Sequence, residues 1–91
     1  MLQIELSSYS KKFLHKNKTS NFQLVQKLVA VIKELATNPL PNGCKKLTGY
    51  PFYRIRLGKY RVVYRYDDAI LYVTIIEKRD KVYQALLKIS N

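Results

Sequence analysis

The chain has 91 residues, 47% of them hydrophobic, which suits one domain with a single modest core and excludes a disordered tail. Seventeen Lys and Arg residues against six Asp and Glu residues give a formal net charge of +11. Such a charge favours polyanionic partners, either nucleic acid or an acidic protein, over a basic surface that serves only solubility.

The N-terminal part of the chain predicts one strand and a first helix, within a single domain that spans residues 1–91. Residues 2–6 alternate apolar and polar side chains, which is typical of a short strand. Ser7 or Ser8 can cap a helix that runs to about Asn17, because a serine hydroxyl accepts from a free backbone N–H of the first turn.

A longer second helix is predicted to follow. Ser20 and Gln23 fit the capping box, in which each side chain satisfies a free backbone donor near the other residue. Apolar residues then recur every three or four positions to about Thr37, which indicates one buried stripe. Pro39 disfavours helical backbone at the residue before it and ends this helix.

Residues 38–51 are rich in Asn, Pro and Gly and predict a loop that crosses to a sheet. The loop contains Cys44, the single cysteine, so an intrachain disulfide or a multi-cysteine metal site is excluded. We expect an incidental thiol there and no metal or cofactor. The N-terminus lacks a secretory pattern, and no apolar run reaches the about 20 residues of a membrane span. A cytoplasmic protein without a membrane partner is therefore expected.

Residues 53–66 predict a β-hairpin with a basic face. Apolar and basic residues alternate, and Gly58-Lys59 is typical of a two-residue type II′ turn. The resulting register pairs Leu57 with Tyr60, Arg56 with Arg61, Ile55 with Val62 and Tyr53 with Tyr64. Arg54, Arg56, Arg61 and Arg65 then share the face opposite the apolar set. Like charges across a strand pair are unfavourable, so this cluster predicts an anion site, with a nucleic-acid phosphate as its ligand.

The remainder predicts one covered strand and a short helix. Asp67-Asp68 marks a tight turn, and residues 70–76 are strongly β-prone. With a two-residue turn, Leu71, Val73 and Ile75 face inward, and Tyr72, Thr74 and Ile76 share the arginine face. A three-residue turn reverses this assignment. Residues 80–89 can form a helix. The predicted fold is α+β in the order β-α-α-β-β-β-α, a largely antiparallel four-stranded sheet packed on two helices, with the arginine face left open to solvent.

Three groups of residues together resemble the RelE/ParE superfamily of bacterial toxins. The groups are Tyr53 to Arg56, then the run from Gly58 to Tyr64, then Lys78-Arg79 with Val82-Tyr83. Lys46-Leu47 and Gly49 also fit the motif with which members of this family enter the sheet. The resemblance implies a toxin of a type II toxin–antitoxin pair in a prokaryotic cytoplasm. Its RelE-like branch consists of ribosome-dependent mRNA endoribonucleases, whereas its ParE-like branch poisons DNA gyrase.

The positions that the RelE-like branch uses are all filled, which favours that branch over gyrase inhibition. The resemblance implies a catalytic set of Arg54, Arg56, Arg61, Arg79 and Tyr83. The implied reaction is attack of a ribose 2′-OH on the adjacent phosphate, without a metal. Arg56 and Arg61 would hold the phosphate, Arg79 would serve the leaving oxygen, and Tyr83 would orient the nucleotide.

The general base is the open point, because RelE has lysine at the positions of Arg54 and Arg56. An arginine practically never loses its proton, so Arg54 is a poor base. Tyr83, Lys78 or ribosomal RNA could accept the proton instead. Our hypothesis is that Arg54 orients the 2′-OH without deprotonating it.

Other basic residues are candidates for RNA binding, and the implied protein partner is an acidic antitoxin that would displace Tyr83 or fill the arginine cluster. mRNA in the ribosomal A site and ribosomal RNA are the implied nucleic-acid partners. The third hypothesis, besides an endoribonuclease and a gyrase inhibitor, is a non-catalytic RNA-binding or ribosome-binding module. The candidate RNA-binding residues are Lys78, Arg65, Lys45, Lys46, Lys11 and Lys12.

Overall fold

The computed structural model describes residues 1–89 and confirms the α+β class. A strand, two helices, a run of strands and a final helix follow one another as predicted. The elements are β1 (Gln3–Leu6), α1 (Ser8–Asn17), α2 (Phe22–Thr37), β2 (Lys45–Lys46), β3 (Tyr53–Leu57), β4 (Tyr60–Tyr66), β5 (Ile70–Lys78) and α3 (Val82–Ile89).

The sheet has five strands rather than the predicted four, in the order β1-β5-β4-β3-β2. The extra strand, β2, is two residues long and pairs antiparallel with the start of β3. It was assigned to the loop because two adjacent lysines carry no alternating apolar pattern. β1 pairs parallel with β5, and the other neighbours are antiparallel.

The β3–β4 hairpin has the predicted register. Arg56 lies opposite Arg61, and Ile55 lies opposite Val62. Gly58 has a φ of +59°, and no residue other than glycine has a positive φ within the described part of the chain. Because a type I′ turn needs two positive φ angles and type II′ only the first, the turn is of the predicted type II′.

The start of α2 differs from the predicted capping box. Asn21, rather than Ser20, is the N-cap, and its side chain accepts from the backbone N–H of Leu24. The Ser20 hydroxyl instead donates to the carbonyl of Lys16 in the preceding helix. Asn and Ser cap helices about equally well, so the pattern could not separate two adjacent candidates. The helix ends before Pro39, as predicted.

The main core lies between α2 and one face of the sheet. The apolar stripe of α2, including Leu28 and Ile32, packs on Val62 and Tyr64 of β4. The Tyr64 hydroxyl is buried and donates to the carbonyl of Pro39 at 2.6 Å. Tyr64 therefore lies in the core, on the face of β4 opposite the arginines, as the predicted register requires.

A second, smaller core covers much of the sheet face that was predicted to be open. Val63 and Ile75 pack there against Val82 and Ala85 of α3. A β-bulge produces this arrangement: Val63 pairs with Ile75 but Tyr64 pairs with Val73, so Thr74 is an extra residue in β5. One added residue reverses the facing of everything beyond it.

The prediction for β5 was therefore right for the first half of the strand and wrong for the second. Leu71 and Val73 face α2 as expected, but Ile76 belongs to the α2 core and Ile75 to the α3 core. The amphipathic α3 closes over the apolar part of the second face and leaves its arginines beside the covered area rather than on an open platform.

Helix α1 covers the edge of β5 that β1 leaves free. The backbone N–H of Ser7 donates to the carbonyl of Val73, and its hydroxyl donates to the carbonyl of Thr74 at 2.6 Å. The buried Ser10 hydroxyl also donates to the Val73 carbonyl. These contacts satisfy the backbone at the bulge and block edge pairing. None of the helices in residues 1–89 has the length and apolar character that crossing a bilayer requires.

Candidate functional site

Four arginines gather where the hairpin turn and the end of β5 meet, and we call Arg54, Arg56, Arg61 and Arg79 the arginine cluster. Arg56 and Arg61 lie directly opposite each other on β3 and β4. Arg54 lies two residues before Arg56 and therefore points to the same face. The charges of Arg56, Arg54 and Arg79 each act on Arg61, in that order of strength.

Backbone contacts bring Arg79 to the hairpin. Its N–H donates to the carbonyl of Lys59 in the type II′ turn at 2.9 Å. The short segment between β5 and α3 is thereby tied to the β3–β4 turn. The resemblance implied that Arg79 and Arg61 share one site, and this bond brings the two residues to the same end of the hairpin.

Arg61 is the most constrained member of the cluster. Its side chain is only 8% exposed, and Nη1 donates to the carbonyls of Gly58 and Tyr60 at 3.2 and 3.1 Å. Burial, followed by the charges of the other three arginines, lowers the pKa of Arg61. Arginine starts from so high a value that the group still carries its charge near neutral pH. The turn carbonyls therefore hold a permanent cation in one orientation.

Arg54 carries a donor without a partner. Its Nη1 atom is buried and has no hydrogen-bond acceptor in the described structure, although the residue as a whole is partly exposed. Across the sheet, Arg54 lies opposite the exposed Lys45 of β2 and the buried Val63 of β4. An unpaired buried donor costs free energy, typically about 1–3 kcal/mol, unless an incoming acceptor satisfies it.

The arginine cluster is therefore arranged to receive a multivalent oxyanion. Each guanidinium presents planar N–H groups that match phosphate oxygens, and nearby cations strengthen the attraction. Within residues 1–89 no carboxylate forms an ion pair with these arginines. A phosphate that arrives there gains charge-assisted hydrogen bonds without first breaking a salt bridge.

Arg65 is on the same face but outside the cluster. It lies four residues beyond Arg61, about 13 Å along the strand, with the α3-covered Val63 between them. Its guanidinium carbon lies 3.9 Å from the ring centroid of Tyr72, a cation–π contact. A surface depression of about 730 Å³ includes Arg65 and Tyr72 but none of the four clustered arginines.

Tyr83 lies on the outer side of α3. Its ring is 55% exposed and sits 6.4 Å, centroid to centroid, from the ring of Tyr50. It forms no hydrogen bond with any member of the arginine cluster within residues 1–89. The structure therefore places the predicted tyrosine on the neighbouring helix, where it is open to a ligand but is not joined to the arginines.

The candidate lysines are spread over several parts of the surface. Lys45 faces Arg54 across the β2–β3 pair and extends the cluster, whereas Lys46 pairs with Tyr53 and points to the other face. Lys12 and Lys78 line a groove of about 350 Å³ between α1 and the end of β5. Lys11 is exposed on α1 and lies outside that groove.

One contact near the site was missed from the sequence. The Tyr9 hydroxyl donates to Oε1 of Glu77 at 3.0 Å. This contact could not be predicted, because nothing in a single sequence indicates that residues 68 positions apart meet. Residues 1–89 contain no group of three or more His, Cys, Asp or Glu side chains that could hold a metal ion.

Comparison with known proteins shows the family. Residues 5–83 match the family described as the ParE toxin of the type II toxin–antitoxin system parDE. The chain belongs to this toxin family. It is also 36% identical over 66 residues to a protein named toxin RelE1 from Methanocaldococcus jannaschii, a match that covers 66% of the chain and 73% of the relative.

Solved structures agree with the fold of this toxin family. A mutant of the Escherichia coli toxin RelE in the free state superposes with a TM-score of 0.74 at 23% identity, over 97% of this chain and 96% of that one. The toxin–antitoxin complex RelBE2 from Mycobacterium tuberculosis contains a chain with a TM-score of 0.72 at 22% identity, over 86% of this chain and 98% of that one. The protein is thus a toxin of a type II toxin–antitoxin system, of the RelE type, as the resemblance predicted.

Proposed function

We propose that this toxin is an endoribonuclease that cleaves mRNA on the ribosome by attack of a ribose 2′-OH on the adjacent phosphate. The observation that carries the proposal is the arginine cluster with its unpartnered buried donor on Arg54. A gyrase-binding protein needs a protein-binding surface, whereas a phosphate-transfer site needs convergent cations of this kind.

The proposed chemistry assigns separate tasks to the arginines. Arg61, held by the turn carbonyls, and Arg56 opposite it bind the non-bridging oxygens and stabilise the charge that grows on them. Arg54 orients the attacking 2′-OH, and Arg79 stabilises the leaving 5′ oxygen. The P–O bond to that oxygen breaks as the 2′ oxygen bonds to phosphorus, and the leaving oxygen takes up a proton from water, which yields a 2′,3′-cyclic phosphate and a 5′-OH. Tyr83 offers an exposed ring, next to the partly buried ring of Tyr50, on which a neighbouring base can stack.

No metal enters this proposal, and the proton of the 2′-OH passes to Tyr83 or Lys78 in its deprotonated form, or to ribosomal RNA. A small toxin with few acid–base groups would gain from a ribosome that aligns the substrate, because alignment alone supplies a large part of a barrier reduction. Lys11, Lys12 and Lys78 would add unspecific attraction to RNA phosphates.

The proposed protein partner is an acidic antitoxin. The M. tuberculosis relative was solved as a toxin–antitoxin complex, which supports a partner of this kind here. Charge complementarity favours an acidic segment that folds over the arginine cluster or the exposed side of α3. Cytoplasmic location follows from the ribosomal target and belongs to the same proposal.

The test is cleavage-site mapping by toeprinting on translating ribosomes. Arg56→Ala and Arg79→Ala alter exposed side chains, so both variants should fold, and we expect each to lose cleavage by about a hundredfold or more. Arg65→Ala is the matched control, because Arg65 is an exposed arginine on the same face outside the cluster. Full cleavage by both cluster variants would contradict the site assignment.

Gyrase inhibition is the second candidate, favoured by the family's description as the toxin of parDE. It predicts double-strand breaks and a DNA-damage response on expression, while translation initially continues. Early arrest of translation with mRNA cut at codon-linked positions supports the endoribonuclease instead.

A further inference from the structure

The carboxylate that lies opposite Arg61 in the sheet is turned away from the arginine cluster. Glu77 is the direct cross-strand partner of Arg61, so the two side chains leave the sheet on the same face, with their Cβ atoms about 4.5–5.5 Å apart. Opposite charges in this relation normally attract each other and form an ion pair. Here Arg61 donates to the turn carbonyls instead, and only the other arginines are among the charges that act on it.

Two hydrogen bonds hold Glu77 in its position. Oε1 accepts from the Tyr9 hydroxyl at 3.0 Å, and Oε2 accepts from the backbone N–H of Lys78 at 3.0 Å. Tyr9 lies on α1, which runs along the outer edge of β5, whereas Arg61 lies on β4 at the other side of the strand. The carboxylate is therefore drawn toward the outer edge.

We propose that Tyr9 is a positioning residue that holds the Glu77 carboxylate away from Arg61 and so keeps the arginine cluster open to a phosphate. Without the phenol, the flexible glutamate side chain can turn toward Arg61, neutralise one of the four cations and compete with an incoming anion. The inference rests on the proposed function in that the anion is taken to be an RNA phosphate.

Protonation supports this role for Tyr9. Burial, together with the hydrogen bond to Glu77 and its negative charge, raises the pKa of Tyr9 to about 12. The Tyr9 hydroxyl therefore remains a hydrogen-bond donor throughout the neutral range, and Tyr9 does not lose its bond to Glu77 by deprotonation at physiological pH.

The experiment is a double-mutant cycle on the full chain, with two readouts. The first is the affinity for inorganic phosphate, followed through the side-chain N–H signals of the arginines by NMR. The second is cleavage on ribosomes. Tyr9→Phe keeps the ring that packs beside the α3 core and removes only the hydroxyl, and Glu77→Gln removes the charge while it keeps the size.

We expect Tyr9→Phe to weaken phosphate binding about tenfold, which corresponds to about 1.4 kcal/mol, and to reduce cleavage in parallel. Glu77→Gln should bind phosphate at least as well as the parent protein. The double variant should return to the Glu77→Gln value, because a neutral side chain at position 77 cannot block Arg61. Tyr72→Phe is the control, since its hydroxyl contacts Asp67, away from the cluster.

Three results would overturn the inference. Unchanged phosphate affinity in Tyr9→Phe would show that the Tyr9 hydroxyl does not keep the Glu77 carboxylate away from Arg61. Weak binding that persists in the double variant would assign Tyr9 a purely structural role. Loss of cleavage in Glu77→Gln with intact phosphate binding would make Glu77 itself a participant in proton transfer. If the expected affinity pattern appears while no form of the protein cleaves RNA, the proposed function fails and the inference stands.

Discussion

Replacing Arg54 by methionine should make the protein more stable while it disables the site. Methionine keeps the aliphatic stem and removes the guanidinium. The buried unpartnered Nη1 donor costs about 1–3 kcal/mol. The like charge of Lys45 directly opposite costs about 0.2–1 kcal/mol more. Since the other guanidinium nitrogens keep some contact with water, we expect a net gain of about 1–2 kcal/mol in the free energy of unfolding.

Urea unfolding followed by circular dichroism measures this change. The midpoint should rise at an unchanged slope, and the melting temperature should increase by about 4–8 °C for each kcal/mol in a domain of this size. Added inorganic phosphate should stabilise the parent protein, because it binds only the folded cluster, and should stabilise the variant less.

Arg65→Met is the matched control with the opposite sign, because Arg65 has a favourable contact with the ring of Tyr72. Its loss should lower stability slightly and leave the effect of phosphate intact. A fall in the unfolding midpoint of Arg54→Met would refute the reasoning, since it would mean that the guanidinium is already satisfied without a ligand.

Two further predictions test the helix start and the buried phenols. Asn21→Ala should lower the free energy of unfolding by about 1 kcal/mol whereas Ser20→Ala should be nearly neutral, and equal losses in urea titrations would contradict the assigned cap. The pKa values of Tyr9 and Tyr64 are raised above their ordinary value of 10.0, so the unfolded chain loses these protons first and stability should fall as pH rises above 10. Tyr9→Phe and Tyr64→Phe should each flatten that decline in pH-dependent unfolding, and an unchanged slope in both would argue against the raised values.

Local patterns predicted most of the secondary structure because each rests on neighbouring residues. The hairpin register needed only Gly58-Lys59 and the alternation beside it, and the end of α2 needed only Pro39. The start of α2 was missed by one residue because Asn21 and Ser20 are equivalent caps until the tertiary structure engages one of them. β2 was missed because its pairing partner, not its own composition, makes it a strand.

The site was predictable to the extent that it lies on the hairpin. Arg54, Arg56 and Arg61 follow from period-two alternation, whereas Arg79 came from the family resemblance. The isolation of Arg65 could not be predicted, because it depends on α3 covering Val63. The position of Tyr9 against Glu77 depends on how α1 crosses the sheet edge, which no local pattern encodes. That residues 1–91 form a single domain stays a prediction.

The bulge at Thr74 determines which side chain borders the arginine cluster. With strict alternation from Val73, residue 76 would lie opposite Arg61 and residue 77 would face α2. An isoleucine would then stand beside the four arginines, and a glutamate would be pressed against an apolar core. One residue more or fewer in the middle of β5 thus decides whether the cross-strand neighbour of Arg61 is charged or apolar. Engineering of this toxin should therefore treat the length of β5 as part of its active surface.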